Sequence, residues 1–387
     1  MENSEVEEFC LFKSLAPWQP LIILLCWCAT ILWLFKSAGG LHSAAELLNA
    51  SEWLDVGWYK SISLRGYFID PSVTDGQSTV FFPLFPLLAA PFIHFFSFEP
   101  LLALHLVQKL ALVGMAYLSF RWAGQVGFAP KESLLAILLH PAFIFLFVPY
   151  TESLYLLCLF ALLIAWNKRN SFVFFAAAYA LGLCRPTGLF LIPAAGITLL
   201  VLASQALHSS AKLNSFSVSG LRSVCNDVEF KGLLKLLFVG VLGALAALLT
   251  IALVMHVSVG DWYAFYRYRS LWKEEPGLKN ILSFLNLDFG QNTPRILVGW
   301  ASLWGCWLLF KSKRVFEGAL CLVAILLPAY QGKMGDIIRY TMGAAPAWMI
   351  LIHRYKNSPV FLTSFTALSA ALGFQYMAKW LERVWPG

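Results

Sequence analysis

The sequence predicts an all-α polytopic membrane protein, and three observations carry that expectation. Only 13% of its 387 residues are charged, while 59% are hydrophobic; an ordinary soluble domain is about 25% charged. Mean hydropathy is high, at +0.70. Apolar runs recur along the whole chain at close to the ~20 residues that a helix needs to cross a hydrocarbon core of ~30 Å. This composition argues against a soluble enzyme. The bilayer is the expected surrounding, and no nucleic-acid partner is expected.

The first expected crossing is residues 19–38, retained because MENSEVEEFCLFK opens acidic and no small-residue cleavage site follows the apolar run. With the N-terminus cytoplasmic, further helices are expected near 101–122, 132–149, 152–167, 171–184, 187–207, 234–258, 295–310, 315–330, 341–353 and 357–378. That makes a bundle of about eleven crossings. The clusters Arg121/Lys131, Lys168/Arg169, Lys311/Lys313/Arg314 and Arg354/Lys356, with the polar stretch 208–233, then share the cytoplasmic side, in line with the positive-inside rule. This parity requires that FFPLFPLLAAPFIHFFSF, residues 81–98, not cross; its prolines and aromatics suit an interfacial or re-entrant piece. Residues 1–387 are expected to form one membrane domain, with amphipathic helices in the outer loops. Outer loops 39–80 and 259–294 form its polar face.

The eight cysteines show no metal-ligand spacing, CWC at 26–28 not being CxxC. They read as small buried hydrophobes. Lys109, inside an apolar run near His94 and His105, either snorkels or pairs within the bundle or marks a polar site at mid-membrane.

On the outer face, SEWLDVGWYKSISLRGYF at 51–68 places Asp55 ahead of Trp58, Tyr59 and Tyr67. An amphipathic interfacial helix explains the aromatics. A carboxylate there is equally suited to take the proton of an attacking hydroxyl, with the aromatic faces open to a sugar ring or a lipid headgroup. In HPAFIFLFVPYTESLYLLCLFALL, 140–163, Pro149 closes one helix and Thr151 or Glu152 begins the next. Glu152 is then either a helix-start acid or a second functional carboxylate that orients a sugar hydroxyl or shares a metal. GLCRPTGLF offers Arg185 at an outer break, GDWYAFYRYRSLW carries Arg267, Arg269 and Trp272, and GDIIRYTMGAAP adds Asp336, Arg339 and Tyr340. Arginines on this face are natural ligands for a phosphate leaving group.

In order, DVGWYKSISLRGY, FFPLFP, HPAFIFLFVPYTESLY, CRPTGL, GDWYAFYRYRSLW and RYTMGAAP resemble the PIG-V type mannosyltransferases, which include GPI mannosyltransferase II and bacterial relatives. The likeness runs from about residue 50 to 346. It departs where the family has Trp directly before the Asp, since Leu54 intervenes here, and at Trp262 and Arg269 in the late loop.

The resemblance implies a GT-C type glycosyltransferase, with its site on the periplasmic or lumenal face and a polyprenyl- or dolichyl-phosphate sugar as donor. It implies Asp55 as the catalytic base, Glu152 as a second functional acid, and Arg185, Arg269, Trp272, Arg339 and Tyr340 as substrate-binding residues, beside Trp58 and Tyr59, whose flat aromatic faces suit the same role. The expected reaction is inverting transfer of a hexose, mannose by resemblance, to a hydroxyl of a glycolipid, glycan or protein. No metal or other cofactor is called for by any spacing. A bacterial inner membrane is favoured over the endoplasmic reticulum. Two other classes remain open: a lipid-linked sugar flippase or other transporter, and a non-catalytic membrane subunit.

Overall fold

The structure is a computed structural model and describes residues 18–70, 77–211, 228–268, 276–285, 293–332 and 336–383. Every regular element among these residues is helical. In chain order the helices are α1 (Gln19–Gly39), α2 (Ala44–Ser51), α3 (Asp55–Arg65), α4 (Leu84–His94), α5 (Pro100–Gln125), α6 (Pro130–Leu138), α7 (Ile144–Phe147), α8 (Glu152–Asn167) and α9 (Ser171–Cys184). They continue as α10 (Leu191–Ala211), α11 (Val228–Val259), α12 (Ala264–Arg267), α13 (Leu278–Leu285), α14 (Thr293–Lys311), α15 (Val315–Tyr330), α16 (Ile337–Thr341), α17 (Ala345–Tyr355) and α18 (Pro359–Leu381).

Several boundaries follow from local chemistry. Ser43 and Glu46 form a reciprocal capping box that starts α2. Glu99, Asn170 and Ser358 accept backbone N–H groups at the starts of α5, α9 and α18, and Pro100 and Pro359 fill first-turn positions where the missing donor costs nothing.

Among the described residues five helical stretches are long and apolar enough to cross a membrane: Gln19–Gly39, Pro100–Gln125, Pro186–Gln205, Phe230–Val259 and Pro359–Leu381. They mark a multi-pass membrane protein. Other expected crossings fall on shorter apolar helices, among them α8, α9 and α15. At 1.5 Å per residue, the 16 residues of α8 rise about 24 Å. Helix length therefore supports five crossings directly, not the expected eleven. Segment 81–98 contains α4, whose 11 residues rise only about 16 Å, half a hydrocarbon core.

The expected helix 132–149 is broken. α6 ends at Leu138 and α7 covers only Ile144–Phe147, because Pro141 supplies no N–H and the ring of His140 accepts the N–H of Ala142 instead (3.1 Å). The carbonyls freed at the end of α7 are met from α5: Gln108 donates to the Leu146 carbonyl and to Ser153 Oγ (3.0 Å), and Lys109 Nζ donates to the Phe147 carbonyl at 2.5 Å. Lys109 also lies over the Phe147 ring, 4.5 Å from its centroid. Its cation is thus committed to holding the chain just ahead of Pro149. The expected helix 341–353 likewise resolves into α16, a 3₁₀ turn over Met342–Ala344, and α17 with Pro346 in its first turn.

α8 packs against α5 and α9, α9 against α11, α10 against α15, and α14 against both α15 and α17. Between α9 and α10 the chain folds back through a 3₁₀ turn, Pro186–Phe190, immediately after Arg185. A Cβ on Gly188 would stand 1.8 Å from the Leu181 carbonyl oxygen and 2.3 Å from its carbon, both backbone atoms. Gly188→Ala is therefore expected to cost about 1–3 kcal/mol through overpacking, read as a lower thermal midpoint in detergent. An unchanged midpoint contradicts that close approach.

The Asp55 segment is braced from the far end of the chain. Trp380 Nε1 donates to the Ala50 carbonyl (3.0 Å), and Arg383 donates to the carbonyls of Glu52 (2.5 Å) and Asn49 (3.1 Å). The Asn49 carbonyl also accepts the Glu52 N–H (3.2 Å), so Arg383 adds a second donor where α2 ends. Trp53 meets Trp380 edge-on with centroids 5.1 Å apart. Leu54, the residue between Trp53 and Asp55, is held at φ 52°, ψ −122°, a left-handed conformation that a branched side chain adopts only under constraint.

Candidate functional site

Four charged residues from four separate segments meet at one end of the bundle. Asp55 is the first residue of α3, Glu152 the first of α8, Arg185 follows α9, and Arg339 lies in α16. Arg339 joins the two carboxylates: its Nη1 donates to Asp55 Oδ2 at 3.1 Å and its Nε donates to Glu152 Oε1. Arg185 Nη1 donates to the same Glu152 oxygen at 2.5 Å. The result is a continuous chain, Asp55–Arg339–Glu152–Arg185, with two negative and two positive charges.

The four are not equally accessible. The Glu152 side chain is 2% exposed and that of Arg339 8%, whereas Asp55 keeps 19%. Burial works against the charge on Arg339, yet the neighbouring Glu152 and Asp55 carboxylates outweigh it and hold the guanidinium pKa well above its ordinary value. The same balance, with Glu152 as the main partner, raises that of Arg185. Both therefore remain cations.

Aromatic rings wall the cluster. Arg339 lies 4.6 Å from the Tyr150 ring centroid and 4.9 Å from that of Phe145, while Arg185 lies 5.7 Å from the Tyr340 ring and 5.9 Å from that of Tyr155. The N–H of Asp55 donates to Tyr150 Oη (3.3 Å). Burial, reinforced by the Asp55 charge, pushes the phenols of Tyr59 and Tyr150 above their ordinary pKa, so both stay neutral. A cavity of about 10 Å³ beside the cluster is lined by Glu152, Tyr155, Arg185, Arg339 and Tyr340. That is room for about one water, and Asp55 is the most exposed side chain of the four.

Among the residues singled out in the sequence, Asp55, Glu152, Arg185, Arg339 and Tyr340 come together. Glu152 sits in the first turn of α8, and Thr151 makes no side-chain capping bond there. The Glu152 carboxylate serves the two arginines instead. Trp58 stacks on Phe81 (5.9 Å, 22°). Tyr59 is buried, edge-on to Phe81, Phe85 and Tyr150, so its ring is used within the protein. Of the other charges in the opening loop, Lys60 pairs with Glu52 at 2.8 Å and Arg65 covers the Phe68 ring at 3.9 Å. In the late loop Asp261 pairs with Arg267 (3.2 Å) and Trp262 stacks on His256. Arg269 and Trp272 lie outside the described residues.

No family model and no curated protein matches the chain. Among solved structures it is similar to the crystal structure of the Archaeoglobus fulgidus oligosaccharyltransferase in the apo form, at 13% sequence identity and a TM-score of 0.48. The match covers 97% of this chain and 57% of that one, so the chain spans little more than half of that protein's length.

Two participants, Tyr150 and Gln108, carry no mark of their role in the sequence, and Lys109, singled out there, takes the pairing within the bundle that was open to it. Tyr150 was visible within PYTES but looks like an ordinary interfacial tyrosine until its contact with Asp55 and Arg339 is known. Gln108 and Lys109 act through the α7 carbonyls, which nothing local in the sequence announces. Among the described residues no group of three or more His, Cys, Asp or Glu gathers as a metal site. The Asp55 and Glu152 carboxylates share Arg339.

Proposed function

We propose that the chain is a GT-C type glycosyltransferase that moves a hexose, mannose on the PIG-V resemblance, from a polyprenyl or dolichyl phosphate to an acceptor hydroxyl on a glycolipid, glycan or protein. One observation supports this reading above the others. A partly exposed carboxylate stands against a buried guanidinium, and each of the four residues in that ion-pair chain comes from a segment that carries the resemblance.

The geometry suits an inverting transfer. Asp55 accepts the proton of the acceptor hydroxyl as that oxygen bonds to the anomeric carbon. The bond from this carbon to the phosphate oxygen breaks, and its electron pair stays with the phosphate. Attack from the face opposite the leaving group inverts the centre. Protonation removes the charge that holds Arg339 Nη1, leaving that N–H group available as the departing phosphate gains a negative charge. Glu152 keeps Arg339 anchored through Nε meanwhile. Arg185, Tyr340 and, from the late loop, Arg269 and Trp272 are the proposed contacts to donor and sugar. The reading places this end of the bundle on the periplasmic or lumenal face, in a bacterial inner membrane by preference.

The test is transfer by the purified chain, given labelled polyprenyl-phosphate mannose and a panel of hydroxyl acceptors. A new glycosidic product formed with no other protein present supports the proposal. Movement of the labelled lipid across a vesicle membrane without chemical change assigns a flippase instead. Dependence of product on an added catalytic partner assigns a subunit.

A further inference from the structure

A second concavity, of about 600 Å³, lies at the far end of two helices, α15 and α17, that border the ion-pair cluster. α17 starts beside Met342 and Gly343, which line the small cavity, and ends at His353, Arg354 and Tyr355, which line the large one. α15 has Ala324 at the first cavity, and Arg314 at the second immediately precedes its first residue. Ten residues at 1.5 Å each put about 15 Å between those ends.

The large cavity is built from α14, α17 and the turn after α5. Trp304 and Trp307 stack at 4.6 Å, Trp304 Nε1 donates to Tyr355 Oη (3.3 Å), and Phe128 stacks on His353 (5.1 Å). Arg314 is held in place by the Val126 carbonyl (2.8 Å) and by Glu317 (3.3 Å). Lys311, 4.6 Å from the Trp307 ring, and Arg354 are both exposed, and among the described residues neither pairs with an acid. Among the described residues no acid lines the cavity. A 600 Å³ space falls within the usual range for a small-ligand site.

Two further features say what enters. Val126, the first lining residue, directly follows α5, a membrane-length helix, so the cavity lies at the boundary end of a span. The exposed residues Leu297, Trp300, Trp304 and Trp307 follow a three-four spacing along α14 and form one outward apolar stripe that runs into the cavity. An aromatic belt and a positive-inside loop account for scattered Trp and Lys. They do not require a concavity in which exposed cations stand at the end of an exposed apolar stripe.

We infer that this cavity binds the phosphate-bearing headgroup of an anionic membrane lipid, with Lys311 and Arg354 on the phosphate and the acyl chains along the Trp300/Trp304/Trp307 stripe. The inference is independent of the proposed transfer reaction, whose residues lie at the other end.

The full chain in phosphatidylcholine nanodiscs, titrated with photo-crosslinkable phosphatidic acid, tests it. Labelled peptides should map to the α14 end or the α17 end. Unlabelled phosphatidic acid should compete, and inorganic phosphate should not. Each surface cation contributes about 1 kcal/mol to such binding, so Lys311→Gln or Arg354→Gln should weaken labelling about fivefold and the double variant about thirtyfold. Lys168→Gln, which changes a basic loop residue outside the cavity, should leave it unchanged. The Lys311→Arg/Arg354→Lys exchange keeps both charges and should keep labelling, which separates loss of charge from loss of fold. Equal labelling in wild type and the double Gln variant overturns the site. Competition by inorganic phosphate overturns the lipid as its occupant.

Discussion

Asp55→Asn lowers the rate of sugar transfer by about 10²–10⁴-fold, the contribution of a positioned general base, while the protein folds as before. Asn keeps the size of the side chain and loses the charge. Arg339 remains bonded to Glu152, so no buried cation is left without its main counter-ion. Because the Asp55 side chain is partly exposed, its pair with Arg339 contributes modestly to stability. The thermal midpoint in detergent should therefore move by only about 2–4 °C. Full transfer by the Asn variant removes Asp55 from the mechanism. A large fall in midpoint reassigns it to structure.

Glu152→Gln has the opposite profile and destabilises by about 3–5 kcal/mol, the cost of breaking a buried ion pair from one side. Arg185 and Arg339 both rely on the same carboxylate oxygen, and both are nearly out of water. The sign of a second change makes the prediction sharper. Glu152→Gln combined with Arg185→Met removes one charge of each sign and leaves the Asp55–Arg339 pair intact. The double variant should thus unfold at a higher temperature than the Glu152→Gln single, with a coupling of about 0.5–3 kcal/mol. If the two effects simply add, the four residues do not behave as one balanced unit.

Helices 152–167, 171–184 and 315–330 are placed by the sequence where the structure has them, because Pro, Asn or basic residues punctuate the ends of the first two and the start of the third, and Gln331-Gly332 follows the third. The run from 132 to 149 carries no such polar mark beyond His140 and Pro141, so an apolar stretch of the right length hides a break. What ties that break down comes from α5, through Gln108 and Lys109, and tertiary bonds of this kind leave no local pattern. The site was half legible. Topology placed Asp55, Glu152, Arg185 and Arg339 on one face, yet their pairings join residues 33, 187 and 284 positions apart. Nor does composition distinguish Asp55, which meets the cluster, from Glu52, which Lys60 neutralises two turns away on the same loop. The brace from Trp380 and Arg383 was also invisible, since it lies at the end of α18, a helix that carries none of the motifs.

The charge balance of the cluster has a bearing on ionic strength. Two carboxylates and two guanidiniums cancel, and three of the four side chains are shielded from counter-ions. Salt at 0.1 M screens exposed charges beyond about 10 Å but reaches buried pairs far less. The Asp55 end should therefore keep its arrangement in concentrated salt, whereas any attraction exerted by exposed Lys311 and Arg354 fades. Raising the salt is thus a way to silence one end of the molecule and leave the other intact.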